Sequence, residues 1–287
     1  MRAERDAFFA ALLGRCSPYH GSACLTLTAL HPEGNRPTPS RHIRLGDTPA
    51  LQAALDRLDA ANGLGWGAYF AVGWRKTGLS RWRRGSAEEV AALPALFVDV
   101  DDPSLHTLAR LRSFPIAPSC IVHSGGGHHA YWWLDEPTTD LVSARLILRA
   151  LASKLGGDSL SVAQSLRVVS SINTKPSRAG AVCHLLDLNQ RRYPLADFTG
   201  LLPKLQRVRP SSPFVLNPTS IAHLSDSLLR RGFKRRGDWL NGTCPYPERH
   251  KHADHHPSFG FNTRTGYGYC HVCGSMLLKD LCAVLHL

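Results

Sequence analysis

The chain has 287 residues, of which 43% are hydrophobic and 20% charged, a composition typical of one substantial core plus a small additional module. No run approaches the ~18 consecutive apolar residues of a membrane span, and residues 1–15 lack a signal-peptide core, so we expect a cytoplasmic protein with no membrane partner. The formal net charge of +12 favours a polyanionic partner, with nucleic acid as the leading candidate.

The first third of the chain alternates helical and extended patterns. Residues 1–13 and 48–61 have the apolar spacing of helices, and Thr48 followed by a proline is a plausible start for the second. Residues 66–74 are then expected to form a strand.

A basic segment follows this strand and contains no acidic residue. Arginine and lysine pair with phosphates, and tryptophan stacks on bases, so the segment suits a DNA template contact, although a solvated loop explains it equally well. The candidate residues are Trp74, Arg75, Lys76, Arg81, Trp82, Arg83 and Arg84.

Two carboxylates stand at the end of a predicted buried strand. Residues 86–93 predict a short helix that begins at a capping box, and residues 95–101 predict the strand. Because side chains alternate in a strand, Asp99 and Asp101 point to the same face. Such a pair fits Mg²⁺ or Mn²⁺ ligation in phosphoryl transfer, whereas a solvated strand end is the alternative.

Residues 119–134 predict two strands joined by a glycine turn. Three consecutive glycines let backbone amides approach an anion such as phosphate. Two histidines follow and would point to opposite faces, so only one of them can share a face with the acids, and the spacing does not say which. The candidates here are Ser124, Gly125, Gly127, His128 and His129.

Residues 139–156 form the strongest predicted helix, which Gly156 would terminate. Asp158 follows as a third acid, and Arg167, Asn173 and Lys175 stand on an otherwise uncharged run before a strand predicted at 179–188. The cations could neutralise a triphosphate; alternatively, Asp158 is a cap and Arg167 pairs with a surface acid.

The domain boundary is predicted at residues 206–220, which are rich in proline and serine. We therefore expect a catalytic domain over residues 1–205 and a metal-binding domain over 221–287. In the latter, four histidines lie between Cys244 and the pair Cys270 and Cys273, a set that predicts one structural Zn²⁺. The remaining five cysteines are scattered, which indicates a reducing compartment.

Several of these motifs resemble the archaeo-eukaryotic primase (AEP) superfamily, in the primase-polymerase branch found with plasmids, phages and other mobile elements. The resemblance covers roughly residues 66–188 and is carried by "LFVDVD", "SGGGHHAYW" and "GGD". It implies an α+β fold with a mixed or antiparallel sheet flanked by helices. It also implies two catalytic ions held by Asp99, Asp101 and Asp158, and contact between His129 and the phosphates of the incoming nucleotide.

A further segment, "RVVSSINTK", resembles a run that in many relatives reads R-L-P-G-T-x-N-x-K. Arg167, Asn173 and Lys175 match this pattern. Val, Ser and Ser at 169–171 replace Pro, Gly and Thr, and this departure favours the alternative of a non-catalytic protein.

The segment from Cys244 to Gly274 resembles the CHC2-type zinc domain of bacterial and phage primases. Pro247 stands where that pattern has its histidine, so the resemblance implies His250, the nearest histidine, as the fourth ligand. The alternatives are His252, His255 and His256. Such domains help primases recognise template DNA, a role that Arg235 and Arg236 would support electrostatically.

The function expected from these features is that of a DNA primase-polymerase, a nucleotidyltransferase that uses NTPs or dNTPs, a single-stranded DNA template and a primer. The chain contains no P-loop, so unwinding would require a separate helicase. The alternatives are a non-catalytic replication initiator or DNA-binding protein, and a metal-dependent nuclease.

Overall fold

The computed structural model describes residues 2–202 except 32, 35, 37 and 179, and residues 218–285 except 251–253, 255 and 256. The chain divides into two compact units, residues 1–204 (the N-terminal unit) and 205–287 (the C-terminal unit). The predicted linker lies outside the described residues up to residue 217. No helix within the described ranges is long and apolar enough to cross a membrane.

A ten-stranded sheet forms the centre of the N-terminal unit. Its strands are β1 (Ala23–Leu30), β2 (Ser40–Arg44), β3 (Gly67–Ala71), β4 (Trp74–Lys76), β5 (Val90–Val100), β6 (Cys120–His123), β7 (His128–Thr138), β8 (Ser165–Arg167), β9 (His184–Leu188) and β10 (Arg192–Tyr193). The order is β8-β3-β1-β4-β5-β7-β6-β9, with β2 added to β1 and β10 to β7. Only β10 pairs in parallel among these strands, so the predicted mixed, mainly antiparallel α+β fold is confirmed.

Four helices accompany this sheet: α1 (Arg2–Leu13), α2 (Thr48–Gly63), α3 (Leu105–Arg112) and α4 (Leu141–Leu155). Phe8 of α1 is fully buried and makes edge-to-face contacts with Phe70, Tyr131 and Trp133, at ring centroid distances of 5.3, 5.2 and 5.6 Å. Such aromatic burial contributes strongly to core stability. Helix α4 packs against β5 and ends, as predicted, at Gly156 in the left-handed conformation.

Three local predictions are wrong. The N-cap of α2 is Asp47, whose carboxylate accepts the amide of Ala50, and not Thr48. Residues 66–74 form parts of two strands, β3 and β4, and not one. The capping box of Ser86 and Glu89 is present, but it starts only a 3₁₀ turn, Ala87–Glu89, after which β5 begins at Val90. Burial between β4 and β7 overrides the local helical preference there.

The C-terminal unit is an antiparallel sheet whose strands follow chain order. It contains α5 (Pro218–Arg230), β11 (Lys234–Arg236), β12 (Trp239–Gly242), β13 (Phe259–Asn262), β14 (Tyr267–Cys270), β15 (Gly274–Met276) and α6 (Leu278–Val284). Leu224, Leu228, Phe259 and Phe261 lie in its own hydrophobic core. The core of this unit is small, which makes an added cross-link such as a metal ion useful for stability.

Candidate active site and metal centre

Strand pairing brings the first acid and one histidine together. Asp99 lies near the end of β5 and is directly opposite His129 on β7, while Val100 is opposite His128. Directly opposed residues project to the same face, so His129 shares the face of Asp99 and His128 does not. The His129 Nε2 lies 3.6 Å from the Asp99 Oδ1, whereas the His128 Nδ1 lies 2.9 Å from the backbone oxygen of Asp102.

The glycine turn between β6 and β7 packs tightly on the acidic strand. The amide of Ser124 donates to the carbonyl of Gly127 at 2.9 Å, and Gly125 has a φ of +79°. A Cβ at Gly127 would overlap the carbonyl of Val100 and approach the Cα of Asp101 to 2.9 Å. Gly125 and Gly127 therefore shape the turn, and it is Gly126 that lines the adjoining cavity.

The third acid is placed by a second close approach. The amide of Asp158 donates to the carbonyl of Asp99 at 2.9 Å, and a Cβ at Gly157 would lie 2.7 Å from that same oxygen. Asp158 is thus held beside the end of β5 by a backbone contact that only glycine at 157 permits.

One cavity of about 320 Å³, which we call the main cavity, collects most of the predicted residues. Its lining includes Tyr69, Asp99, Asp101, Ser124, Gly126, His129, Asp158, Arg167, Asn173, Lys175 and Arg178. Gly125, Gly127 and His128 of the predicted set are absent from this lining. Acids and bases from five separate segments therefore meet at one place.

Desolvation and like charge act on Asp99. Burial, followed by the neighbouring carboxylates of Asp101 and Asp158, raises the pKa of Asp99 to about 6, although Lys175 and Arg167 oppose the shift. The Asp99 Oδ1 is buried and has no hydrogen-bond partner. A divalent cation would supply the missing charge and the missing contact, so this oxygen donor set fits Mg²⁺ or Mn²⁺.

The three carboxylates are close without forming one tight cluster. Within the described residues, the only group of three or more Cys, His, Asp or Glu whose ligand atoms all lie within 4.8 Å of one another is in the C-terminal unit. Mutual repulsion between unneutralised carboxylates favours such spreading. An arrangement that spans two ions about 4 Å apart needs a wider spread than one ion does.

His129 is a neutral group in this setting. Burial, with smaller contributions from Arg167 and neighbouring histidines, lowers the pKa of His129 to about 3. Its Nδ1 lies 3.3 Å from the hydroxyl of Tyr131. At neutral pH His129 can therefore offer one N–H to a ligand, but it carries no charge of its own.

Arg167 is held on the cavity wall by an aromatic ring. Its Nη2 donates to the Tyr69 hydroxyl at 2.9 Å, and its Cζ lies 4.9 Å from the ring centroid. Only 5% of Arg167 is exposed, and its Nη1 is buried without a partner. A buried guanidinium N–H with no acceptor suits an anionic ligand.

The segment after Arg167 contains a residue in the left-handed conformation and is tied to the glycine turn. Ser170 occupies the position of the pattern's glycine and has a φ of +69°, a conformation that glycine adopts most easily. Asn173 donates from its Nδ2 to the carbonyl of Ser124 at 3.2 Å, so it ties this segment to the glycine turn. Lys175 remains exposed at the cavity.

Sequence reasoning missed Tyr69 and Arg178, two of the side chains that line the main cavity. Arg178 lies against Gly126, where a Cβ would meet its Nε at 2.9 Å, and its position three residues after Lys175 was an available signal. Tyr69 reaches the cavity because Tyr69 on β3 is directly opposite Arg167 on β8. No local pattern in the sequence indicates that pairing.

No family model matches the sequence, and neither does any curated protein. Among solved structures, the AEP domain of the cyanophage S-2L primase-polymerase is similar with a TM-score of 0.52 and 19% identity, over 71% of this chain and 98% of that one. This chain has the AEP fold. The predicted resemblance is confirmed at that level.

Two structures of primase RepB′ are also similar, both at 15% identity. One has a TM-score of 0.47 over 67% of this chain and 60% of that one. The other, its catalytic domain in complex with initiator DNA, has a TM-score of 0.45 over 66% of this chain and 89% of that one.

The basic segment of the AEP-fold unit differs from the prediction. Trp74 and Arg75 are 0% exposed, and Arg75 donates to the backbone oxygens of Gly73, Arg84 and Ala163. Both are structural, so their assignment to template binding is wrong. Arg83 forms an ion pair with Glu89. Lys76, Arg81, Trp82 and Arg84 are exposed, and the Arg81 Cζ lies 4.6 Å from the Trp82 ring centroid.

In the C-terminal unit, Cys244, His250, Cys270 and Cys273 form the cluster within 4.8 Å noted above. The Sγ atoms of Cys244 and Cys273 are 3.8 Å apart, and the His250 Nε2 lies 3.4 Å from the Sγ of both Cys270 and Cys273. Ligands of a tetrahedral zinc ion would lie about 3.5–3.8 Å apart. The donor set fits zinc; His252, His255 and His256 lie outside the described residues.

A carboxylate that sequence reasoning missed orients the histidine. The Asp254 Oδ1 lies 3.0 Å from the His250 Nδ1, and its Oδ2 accepts the amide of Cys244 at 2.6 Å. An acceptor at Nδ1 directs the other ring nitrogen, Nε2, toward the thiols. The i, i+4 spacing of His250 and Asp254 was the available signal.

The pKa of the Cys270 thiol is lower than that of an ordinary cysteine. Burial raises its pKa, but the amides of Cys273 and Val272 and the hydroxyl of Ser258 outweigh this effect and leave the pKa at about 7. A thiolate is the form that binds zinc. Arg235 and Arg236 are exposed on β11 of the same unit.

Proposed function

We propose that the protein is a DNA primase-polymerase that performs template-directed, divalent-metal-dependent nucleotidyl transfer. The observation that supports it is the main cavity, where three carboxylates and three cationic side chains line one space on an AEP fold. Carboxylates for metal ions beside cations for phosphates are the arrangement that phosphoryl transfer requires.

Asp99, Asp101 and Asp158 would hold two Mg²⁺ or Mn²⁺ ions. When bound, such ions neutralise the triphosphate and lower the pKa of the primer 3′-hydroxyl that attacks the α-phosphate. The buried Oδ1 of Asp99 has no hydrogen-bond partner and is therefore available as a ligand for a cation.

Arg167, Lys175 and Arg178 would bind the triphosphate of an incoming NTP or dNTP. The unpartnered Nη1 of Arg167 supplies one donor, and the neutral His129 supplies an N–H. Because Tyr69 fixes the guanidinium before the substrate arrives, little reorganisation is needed during the reaction.

The C-terminal unit would carry one structural Zn²⁺ on Cys244, His250, Cys270 and Cys273. Exposed Arg235 and Arg236 would add contacts to the single-stranded template. A separate helicase would open duplex DNA.

The test is synthesis on a single-stranded template with labelled nucleotides and Mn²⁺ or Mg²⁺. Asp99→Asn with Asp101→Asn should abolish primer synthesis and extension, since the ion ligands are lost, while DNA affinity is retained. The matched control is Asp135→Asn with Glu136→Gln, which removes the same charge from an exposed strand end. DNA binding without synthesis by the native chain would support a non-catalytic role instead, and template degradation a nuclease.

A further inference from the structure

A second cavity, of about 570 Å³, lies in the N-terminal unit where β2, residues 50–57 of α2 and the loop 79–82 meet. We call it the arginine groove, because Arg41, Arg44, Arg57 and Arg81 line it. It shares no lining residue with the main cavity.

Cationic side chains outnumber acidic ones in the lining of the groove, which holds four arginines and the single carboxylate of Asp47. Among the described residues, no carboxylate forms an ion pair with any of the four arginines. The acid in the lining, Asp47, instead accepts the amide of Ala50 as the cap of α2. Partial burial, and the proximity of Arg57 and Arg81, lower the pKa of Arg41. An anion would relieve this repulsion.

The loop that carries Arg81 is held in place. The Ser40 amide donates to the carbonyl of Arg81 at 2.6 Å, and the His42 Nε2 lies 3.1 Å from the carbonyl oxygen of Ser80. Trp82 follows Arg81 and is 56% exposed, with the Arg81 guanidinium over its ring. A fixed, exposed indole beside unpaired arginines is a platform on which a nucleic-acid base can stack.

We infer that the arginine groove binds the phosphodiester backbone of single-stranded DNA, with one base stacked on Trp82. Arg41, Arg57 and Arg81 come from β2, α2 and the loop 79–82 and lie close enough to lower the pKa of Arg41, in a groove of about 570 Å³ that has room for more than one phosphate. A single strand is favoured because its bases are free to stack on a side chain. The choice of DNA as the polymer rests on the proposed function.

The experiment measures binding of the full chain to a fluorescent single-stranded oligonucleotide by anisotropy, at several salt concentrations, without nucleotides or divalent ions. Arg41→Gln with Arg57→Gln should weaken binding about tenfold and reduce the slope of log Kd against log salt by about 1.4, since each phosphate contact to a single strand contributes about 0.7. Arg41→Lys with Arg57→Lys should keep most of the slope.

The matched control is Arg145→Gln with Arg149→Gln. Both arginines are exposed on α4, and their substitution removes the same net charge. Affinity within twofold of the native chain is expected for this control. An iodouracil-substituted strand should photocrosslink to the native chain, and Trp82→Ala should lose the crosslink. Thermal unfolding verifies that each variant is folded.

Equal weakening in the groove and control variants would overturn the inference, because binding would then depend only on net charge. Loss of affinity for a fluorescent nucleoside triphosphate in the groove variant, with DNA binding unchanged, would also overturn it. The oligonucleotide-binding assay contains neither free nucleotides nor divalent ions, so its outcome is separate from that of the synthesis test on Asp99 and Asp101.

Discussion

Asp99 combines burial, like-charge neighbours and an oxygen without a hydrogen bond, so at the residue scale it is a functional group that costs stability. Its side chain is only 24% exposed, and its ionised form is disfavoured until a cation is present. Such a trade between stability and activity is characteristic of functional sites.

We expect Asp99→Asn to stabilise the metal-free protein. The folded-state pKa of about 6 lies above the unfolded value of 3.8, so the penalty grows between about pH 4 and pH 6 and is complete above pH 6. The variant should therefore gain about 2 kcal/mol in free energy of unfolding at pH 7.5 and almost nothing at pH 4. Urea unfolding in a chelating buffer measures it.

Two comparisons control that measurement. Asp135→Asn, at an exposed position, should change stability at neither pH. Added Mn²⁺ should stabilise the native chain but not Asp99→Asn. A variant less stable than the native chain at pH 7.5 would show that Asp99 contributes favourable contacts even without a metal ion.

In the C-terminal unit, Asp254 contacts the ring of His250 and can be tested by a single substitution, as Asp99 can in the N-terminal unit. Asp254→Asn should weaken zinc binding about 10–100-fold without removing a ligand, because an amide is a poorer acceptor for the His250 Nδ1–H. Competition with a chromophoric chelator measures the affinity. Asp226→Asn, exposed on α5, should leave it unchanged, and equal affinities for the two variants would exclude an orienting role for Asp254.

At the scale of elements, the hairpin β6–β7 and strand β5 position the site together. The predicted strand, glycine turn and strand are confirmed over Cys120–His123 and His128–Thr138. The predicted strand at 179–188 is confirmed only from His184 onward. Local pattern identifies such elements well when both their turn residues and their apolar alternation agree.

Gly127→Ala should disturb the site through this hairpin. The added Cβ would meet the Val100 carbonyl and the Asp101 backbone, and forcing the strands apart should cost about 2 kcal/mol and most of the activity. Gly200→Ala is the control, since a Cβ there meets nothing within 4 Å. Thermal unfolding and primer extension measure both effects, and a native-like Gly127→Ala would contradict the close packing.

At the scale of the whole molecule, the two units have separate hydrophobic cores. Separate cores predict separate unfolding transitions. Because the smaller unit has few core residues around a Cys and His cluster, metal binding should supply much of its folding free energy.

Chelation should therefore lower the melting temperature of the C-terminal unit's calorimetric transition by about 10 °C or more. For a small domain this corresponds to a loss of about 2–4 kcal/mol in free energy of unfolding. The melting temperature of the N-terminal unit should stay within about 2 °C of its original value. Cys270→Ser should reproduce the chelator's effect without chelator and impair priming more than extension. One cooperative transition, shifted as a whole, would contradict independent cores.

The sequence alone indicates the candidate site residues: the carboxylates at the end of an apolar run, the glycine turn, the arginine segment and the cysteine spacing. The α+β fold class follows from the family resemblance that these motifs carry. The motifs themselves are short-range patterns of residue types, and such patterns are visible without coordinates.

The folded chain was needed to show which side chains reach the main cavity and which are buried. Cross-strand pairing selected His129 over His128 and brought Tyr69 to Arg167, whereas burial removed Trp74 and Arg75 from the basic surface. Strand register and burial depend on partners far away in the chain, and a local pattern carries no information about those partners.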